Sequence, residues 1–289
     1  MSLLLPVVTP LALMLMQVGI DPRAGQTPGI PEELRNRPPR GAVEAARPPS
    51  RAAIDVCLDT ARDDPAKARA LADEWVARTS GAQRATGQHC LGVAAGNAGD
   101  WPAASAAFLA ARDGASEPRF RARMGALAGS ALLAQNRPVE ALAALDAAQA
   151  LAASDGPLGS EIAQERAVAL VTLKRDADAV AALAQARTLG PDDAHAWLLS
   201  ATLSRRQNDL AAAQAQIEKA ASLDPRDPGI GLEAGVIAAL GGRDAAARQS
   251  FQSVIAAAPD SAEAASARAY LAQLDPRSDS QPVTKKDNR

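Results

Sequence analysis

Residues 191–225 read PDDAHAWLLSATLSRRQNDLAAAQAQIEKAASLDP and contain one full copy of a pattern that runs through most of the chain. Four prolines, Pro157, Pro191, Pro225 and Pro259, follow one another at intervals of 34 residues. A fixed period of this length is typical of helical repeats, in which each unit buries its apolar face only against its neighbours. Each proline should end the second helix of a pair, because proline cannot continue a helix. We therefore expect a stacked array of helix pairs.

Small and large side chains also recur at fixed places between the prolines. When Trp197 is counted as position 4 of a unit, small residues stand at positions 8 and 20, and a larger residue stands at position 24. Small residues let two antiparallel helices approach closely, and the larger residue fills the gap beside them. In two successive units these residues are Ala201, Ala213 and Ile217, and then Gly235, Ala247 and Phe251.

The same pattern extends outward from these units. With small insertions it fits residues 122–148 and, before them, residues 91–111, whereas residues 51–81 resemble one more, degenerate helix pair. Residues 262–274 are expected to form a closing helix. The composition also indicates an all-helical fold, because aromatic residues are only 2% of the chain and strands favour aromatic and β-branched side chains. Alanine, which is abundant here, is the best helix former.

These units resemble the tetratricopeptide repeat family over about 225 residues, from 51 to 275. Trp197 matches the usual aromatic residue at position 4, but the usual tyrosine at position 11 is replaced by Leu132, Leu170, Ser204 and Ala238. The resemblance implies an all-α fold, a right-handed superhelical solenoid of stacked antiparallel helix pairs. It also implies a concave groove, lined by the first helices of the pairs, that holds a peptide or a protein partner.

In that family, positions 2, 5, 9 and 12 of each first helix usually face the groove. Members that grip a C-terminal carboxylate use Lys and Asn at several of these positions, and this set is missing, so no carboxylate clamp is expected. The groove is predicted to be mostly apolar with a few polar points. The candidate groove residues are Arg123, Ser130, Glu161, Gln164, His195, Leu198, Thr202, Arg205 and Leu232.

Two alternatives for the groove stay open at this point. The apolar groove residues could instead pack against the second helices, which would put the assignment of positions out of register. The chain's own segment around Ile30 and Leu34 could also occupy the groove.

Two segments flank the predicted repeats at the N-terminal side. Residues 1–20 are apolar and carry no charge between Leu3 and Ile20, which suits a cleaved signal peptide or an uncleaved membrane anchor. Residues 21–50 hold seven prolines and are predicted to be a disordered linker. At the other end, the polar residues 276–289 are predicted to form a disordered tail. A periplasmic or secreted protein is expected, with an inner-membrane anchor as the alternative.

The chain has two cysteines, Cys57 and Cys90, which lie 33 residues apart, close to one repeat. They should therefore occupy near-equivalent places on adjacent first helices. A disulfide is plausible in an oxidising compartment, and two separate buried thiols are the alternative. Together with His89 they offer only three metal ligands, and structural zinc uses four, so no metal site is expected.

No local motif for catalysis or for a cofactor occurs in the sequence, which lacks a phosphate-binding loop, a nucleophile elbow and a zinc-protease motif. We therefore predict a protein that is not an enzyme and uses no cofactor. The formal net charge of −2 provides no overall attraction to nucleic acid. The predicted function is a protein-interaction adaptor of the bacterial cell envelope whose partner is a protein or peptide. The alternative is a membrane-anchored assembly factor for an envelope complex, touching the membrane only through residues 1–20.

Overall fold

A computed structural model describes residues 52–152 and 155–274, and within these ranges the chain forms thirteen α-helices and no strand. The helices are α1 (Ala53–Asp63), α2 (Pro65–Arg78), α3 (Gly81–Asn97), α4 (Trp101–Gly114), α5 (Pro118–Ala134), α6 (Pro138–Leu151), α7 (Gly156–Thr172), α8 (Asp176–Leu189), α9 (Ala194–Arg206), α10 (Leu210–Leu223), α11 (Pro228–Leu240), α12 (Asp244–Ala257) and α13 (Ala262–Leu274). Each odd-numbered helix up to α11 pairs with the next helix, and α13 packs against the last pair. The predicted all-α solenoid of helix pairs is confirmed.

Aspartates begin many of these helices. Each accepts a hydrogen bond from a backbone N–H of the first helical turn, which otherwise has no partner within the helix. Such a cap contributes about 1 kcal/mol. The capping residues are Asp64, Asp100, Asp155, Asp193, Asp209 and Asp227.

One backbone turn recurs at the end of the first helix in five pairs. A single residue there takes a positive φ angle, and the next amide donates to a carbonyl five residues back, as Arg175 does to Leu170 at 2.9 Å. This hydrogen bond satisfies a carbonyl that the helix end would leave free. The residues with positive φ are Gly99, Asn136, Lys174, Asn208 and Gly242.

Pro157 departs from the predicted role of the periodic prolines. Pro191, Pro225 and Pro259 follow the ends of α8, α10 and α12, as expected. Pro157 instead lies in the first turn of α7, where its missing N–H costs nothing. The reason is that α7 has 17 residues whereas α9 and α11 have 13, so its extra turn starts before the repeat template does.

The array curves with its first helices on the inner side. Several first helices of successive pairs contact one another: α1 contacts α3, α5 contacts α7, α7 contacts α9, and α9 contacts α11. Second helices of successive pairs are separated by the intervening first helix and make no comparable contact among the described residues. Since the first helices lie closer together than the second helices, they line the concave face.

Residues 1–20, 21–50 and 276–289, for which a leader, a linker and a tail are predicted, lie outside the described residues. Over 52–152 and 155–274, no helix combines the length and the apolar character needed to cross a bilayer.

Candidate functional site

The concave side of α7 carries two kinds of side chain. Glu161, Glu165 and Val168 follow each other at spacings of four and three residues, so they share one face of the helix. Glu161 is exposed, Glu165 is half-buried, and Val168 exposes 41% of its surface. The face is therefore acidic toward the start of α7 and apolar toward its end.

A polar network joins α7 to the next first helix. Gln164 donates through Nε2 to Asp193 Oδ2 at 2.6 Å and to Ser160 Oγ at 3.2 Å, and its Oε1 lies 2.7 Å from His195 Nδ1. Asp193 also caps α9 by accepting from the backbone amide of His195 at 3.0 Å. Gln164 is only 6% exposed, so its polar atoms hold two repeats together at the floor of the groove.

Glu165 was not among the predicted groove residues. It stands at position 6 of the template, outside the positions that face the groove in most members of the family. Burial raises the pKa of its carboxyl above the usual range, and the Glu161 carboxylate adds to the rise, while the Ser130 hydroxyl and His195 act in the opposite direction. The usable signal in the sequence was the spacing of four residues between Glu161 and Glu165, which places two like charges side by side.

Arg205 forms a charged contact across the next junction. Its Nε and one terminal nitrogen donate to the two carboxylate oxygens of Glu233 on α11, at 2.6 and 3.3 Å. The two side chains are only 23% and 12% exposed. Arg205, a predicted groove residue, thus links α9 to α11 through a partner that the repeat template did not single out.

An apolar pocket of about 280 Å³ opens between α7, α8 and α9. Of the predicted groove residues, Thr202 lines this pocket. The predicted residues Leu198 and Leu232 are half-buried and pack against the cores of the last two pairs. The exposed Arg123 lies one repeat earlier, on α5. The pocket is lined by Ala167, Val168, Val171, Thr172, Leu183, Leu199, Thr202, Leu203 and Arg206.

His89 on α3 is half-buried beside two aromatic rings. Its ring centroid lies 5.9 Å from that of Phe120, edge to face, and 6.4 Å from that of Phe108. Burial, helped by the nearby Arg123 guanidinium, lowers the pKa of His89 from 6.5 to about 4. His89 is therefore a neutral residue of the packing between repeats near pH 7.

Cys57 on α1 and Cys90 on α3 lie opposite each other on adjacent first helices. Their Cα atoms are 6.1 Å apart, their sulfurs are within bonding distance, and both residues are buried. This separation suits a disulfide, so the two residues form a disulfide-capable pair. Within the described part of the chain, no group of three or more His, Cys, Asp or Glu residues is arranged to hold a metal ion.

Comparison with known proteins finds one family that matches part of the array. The model of the tetratricopeptide repeat matches residues 127–194, 165–228 and 198–262. No curated protein sequence matches the chain.

Solved structures share the fold. PilW, described as a widely conserved type IV pilus biogenesis factor, has a TM-score of 0.63 at 19% identity, over 75% of this chain and 96% of its own. PilF of Pseudomonas aeruginosa has a TM-score of 0.58 at 17% identity, over 76% and 97% of the two chains. BtubC from P. vanneervenii has a TM-score of 0.55 at 16% identity, over 82% and 100%.

At these identities the likeness concerns the fold alone. The period of 34 residues and the stacked helix pairs agree with the family match over residues 127–262, and this part of the chain therefore consists of tetratricopeptide repeats.

Proposed function

We propose that this chain is a non-catalytic adaptor that binds a segment of another protein on the concave face of its helical array. The observation that carries this proposal is the apolar pocket between α7 and α9, which opens on that face next to the exposed Val168. An apolar pocket with charged groups at its rim is the arrangement by which helical grooves hold amphipathic segments.

The proposed location is the bacterial cell envelope, either the periplasm or the outside of the cell. The uncharged apolar stretch within residues 1–20 supports export. The disulfide-capable pair of Cys57 and Cys90 supports an oxidising compartment, because disulfides persist there and are rare in the cytosol.

Site-specific photo-cross-linking tests the groove assignment. A benzoylphenylalanine residue is introduced at Val168 on α7 in the full chain, and in a second protein at Val180 on α8, and both are expressed in the native cells. The two valines are matched, with 41% and 43% of their surfaces exposed. We expect one envelope protein to be cross-linked from position 168 and not from position 180. Equal adducts from both positions, or none from position 168, would contradict the proposal.

A membrane-anchored assembly factor is the second candidate, and the length of the uncharged stretch, from Leu3 to Ile20, favours it. Sequencing the N-terminus of the mature protein distinguishes the two. A mature chain that starts after residue 20 supports the exported adaptor, whereas an intact N-terminus in carbonate-washed membranes supports the anchored factor.

A further inference from the structure

The pocket between α7 and α9 is apolar inside, with Arg206 in its lining at one end and the acidic face of α7 beyond Val168 at the other. Leu183 and Leu203 form its buried floor, and Val168 stands exposed at its rim. Glu161 and Glu165 lie on the same face of α7 before Val168, whereas the exposed Arg206 lines the far end of the pocket.

The acidic end is unfavourable for the protein by itself. Two glutamates four residues apart on a helix repel each other, which costs the helix a few tenths of a kcal/mol. Burial of Glu165 adds a desolvation cost to its charged form. A cation bound beside both carboxylates would remove the repulsion. Unfavourable local arrangements, such as this pair of like charges, are expected at functional sites.

The distance between the acidic end and the pocket follows from helix geometry. Glu161 and Val168 are seven residues apart, which is two helical turns, and at 1.5 Å per residue the separation is about 10 Å. One ligand segment can therefore reach both places. Arg206 at the far end would repel a basic side chain there, so the charges also give the ligand a direction.

We propose that the groove binds a basic amphipathic segment of a partner protein, with an aliphatic side chain in the pocket between α7 and α9 and a Lys or Arg side chain on Glu161 and Glu165. This inference rests on the proposed function and specifies the partner's chemistry. The complementarity of charge and the apolar pocket together select such a segment over an acidic one, which Glu161 and Glu165 would repel.

Selection from a random library of dodecapeptides on phage tests the inference with the purified full chain. We expect the enriched peptides to carry an aliphatic residue together with a Lys or Arg at about 10 Å from it. A fluorescently labelled copy of an enriched peptide then serves as the probe in anisotropy titrations.

Three variants with exposed positions are compared with the natural protein in these titrations. Glu161→Lys should weaken binding of the probe about tenfold or more, because a charge-assisted hydrogen bond is lost and a repulsion is gained. Val168→Glu should abolish binding by placing a charge at the rim of the pocket. Glu218→Lys, at an exposed position of α10, makes the same change of net charge away from the groove and should leave the affinity within twofold.

The outcomes separate this inference from the proposed function. The inference is overturned if the enriched peptides lack a basic residue. It is also overturned if they bind the Glu161→Lys variant with full affinity but fail to bind the Val168→Glu variant. Both results leave the proposed binding in the groove intact. If the peptides bind the Val168→Glu variant with full affinity, or if no peptide is enriched, then this pocket does not bind the partner. Either result overturns both the inference and the proposed function at this pocket. Circular dichroism of each variant confirms that a lost affinity does not come from unfolding.

Discussion

The ring of Phe251 on α12 occupies the space that a side chain on Gly235 of α11 would need, since a Cβ atom at Gly235 would lie 2.3 Å from Cε1 of Phe251. The same relation recurs between Gly92 and Phe108 at 2.5 Å. Where the facing residue is aliphatic, position 8 is an alanine, as Ala201 is in the unit of Ile217, or a glycine, as Gly129 is beside Leu145. A ring at position 24 thus requires a glycine at position 8, which couples the two positions in the units of Phe108 and Phe251.

Adding a methyl group at Gly235 should destabilise the protein. We expect Gly235→Ala to lower the free energy of unfolding by about 1–2 kcal/mol, because overpacking costs about 1–3 kcal/mol and the gain in helix propensity returns up to about 1 kcal/mol. Chemical denaturation measures the change. Gly96→Ala is the control, since its Cβ would meet only ordinary contacts at 3.6 Å and beyond, and it should be neutral or stabilising.

A double variant tests the coupling itself. Gly235→Ala combined with Phe251→Ile reproduces the pair found in the preceding unit, and it should be less destabilised than the sum of the two single variants. Strict additivity would show that the two positions are independent.

Lys174 should be replaceable by glycine with a gain in stability. It holds a positive φ of 61° at the turn between α7 and α8, where equivalent turns use Gly99 and Gly242. A side chain with Cβ is strained in this region, so Lys174→Gly should raise the free energy of unfolding by about 0.5–1 kcal/mol. The reverse change, Gly242→Lys, should lower it by a similar amount. A loss of stability in Lys174→Gly would show that the lysine side chain makes a larger contribution than the backbone strain.

Oxidation of Cys57 and Cys90 should stabilise the first repeats. The two residues enclose a segment with a sequence separation of 33, for which loss of entropy in the unfolded chain predicts about 3–4 kcal/mol. We expect the unreduced protein to resist alkylation and to melt at a higher temperature than the reduced protein. The Cys57→Ala, Cys90→Ala variant should melt like the reduced protein and no longer respond to reductant. Alkylation of two thiols in unreduced protein prepared from the native compartment would contradict the bond.

The contact between Arg205 and Glu233 should contribute more to stability than an exposed ion pair. Both side chains are largely buried, so Glu233→Gln should cost about 1–2 kcal/mol by leaving Arg205 without its charged partner. The pair of Arg78 and Glu74 is 74% and 52% exposed, and Glu74→Gln should change the stability by less than about 0.5 kcal/mol. Urea denaturation of both variants measures the difference, and equal effects would contradict the prediction.

His89 should make the fold less stable as the solution is acidified. Its pKa is lowered to about 4 in the folded protein, below the value of 6.5 for an unperturbed histidine, so the unfolded chain takes up the proton first. Stability should fall by about 1–2 kcal/mol between pH 7 and pH 5, and the loss should end near pH 4.

A variant isolates this effect of pH. The raised pKa of Glu165 acts with the opposite sign, because its protonation favours the folded state. Glu165 is present in both the natural protein and the His89→Gln variant, so a comparison of the two cancels its effect. The natural protein should lose stability relative to the variant as the pH falls from 7 to 5. An NMR titration of His89 with a midpoint near 6.5 would contradict the prediction.

The repeat architecture follows from the sequence alone. The period of the prolines and the small and large residues at positions 8, 20 and 24 depend on packing within one helix pair, and such packing repeats whenever the spacing repeats. Gly235, Ala247 and Phe251 are therefore buried where the template expects them. The predicted role of Pro157 was wrong, because the extra turn of α7 lengthens this helix without changing the period of the chain.

The tertiary structure alone decided how the groove is built. Gln164 and His195 were predicted as separate polar points, yet they bind each other across a repeat junction together with Asp193. Glu165 and Glu233 belong to the groove because the packing of neighbouring helices places them there. These contacts join residues about one repeat apart, and their geometry depends on how successive pairs stack. Period and composition specify which residues form each helix pair, whereas the side chains left free to bind a partner are set by the packing between pairs.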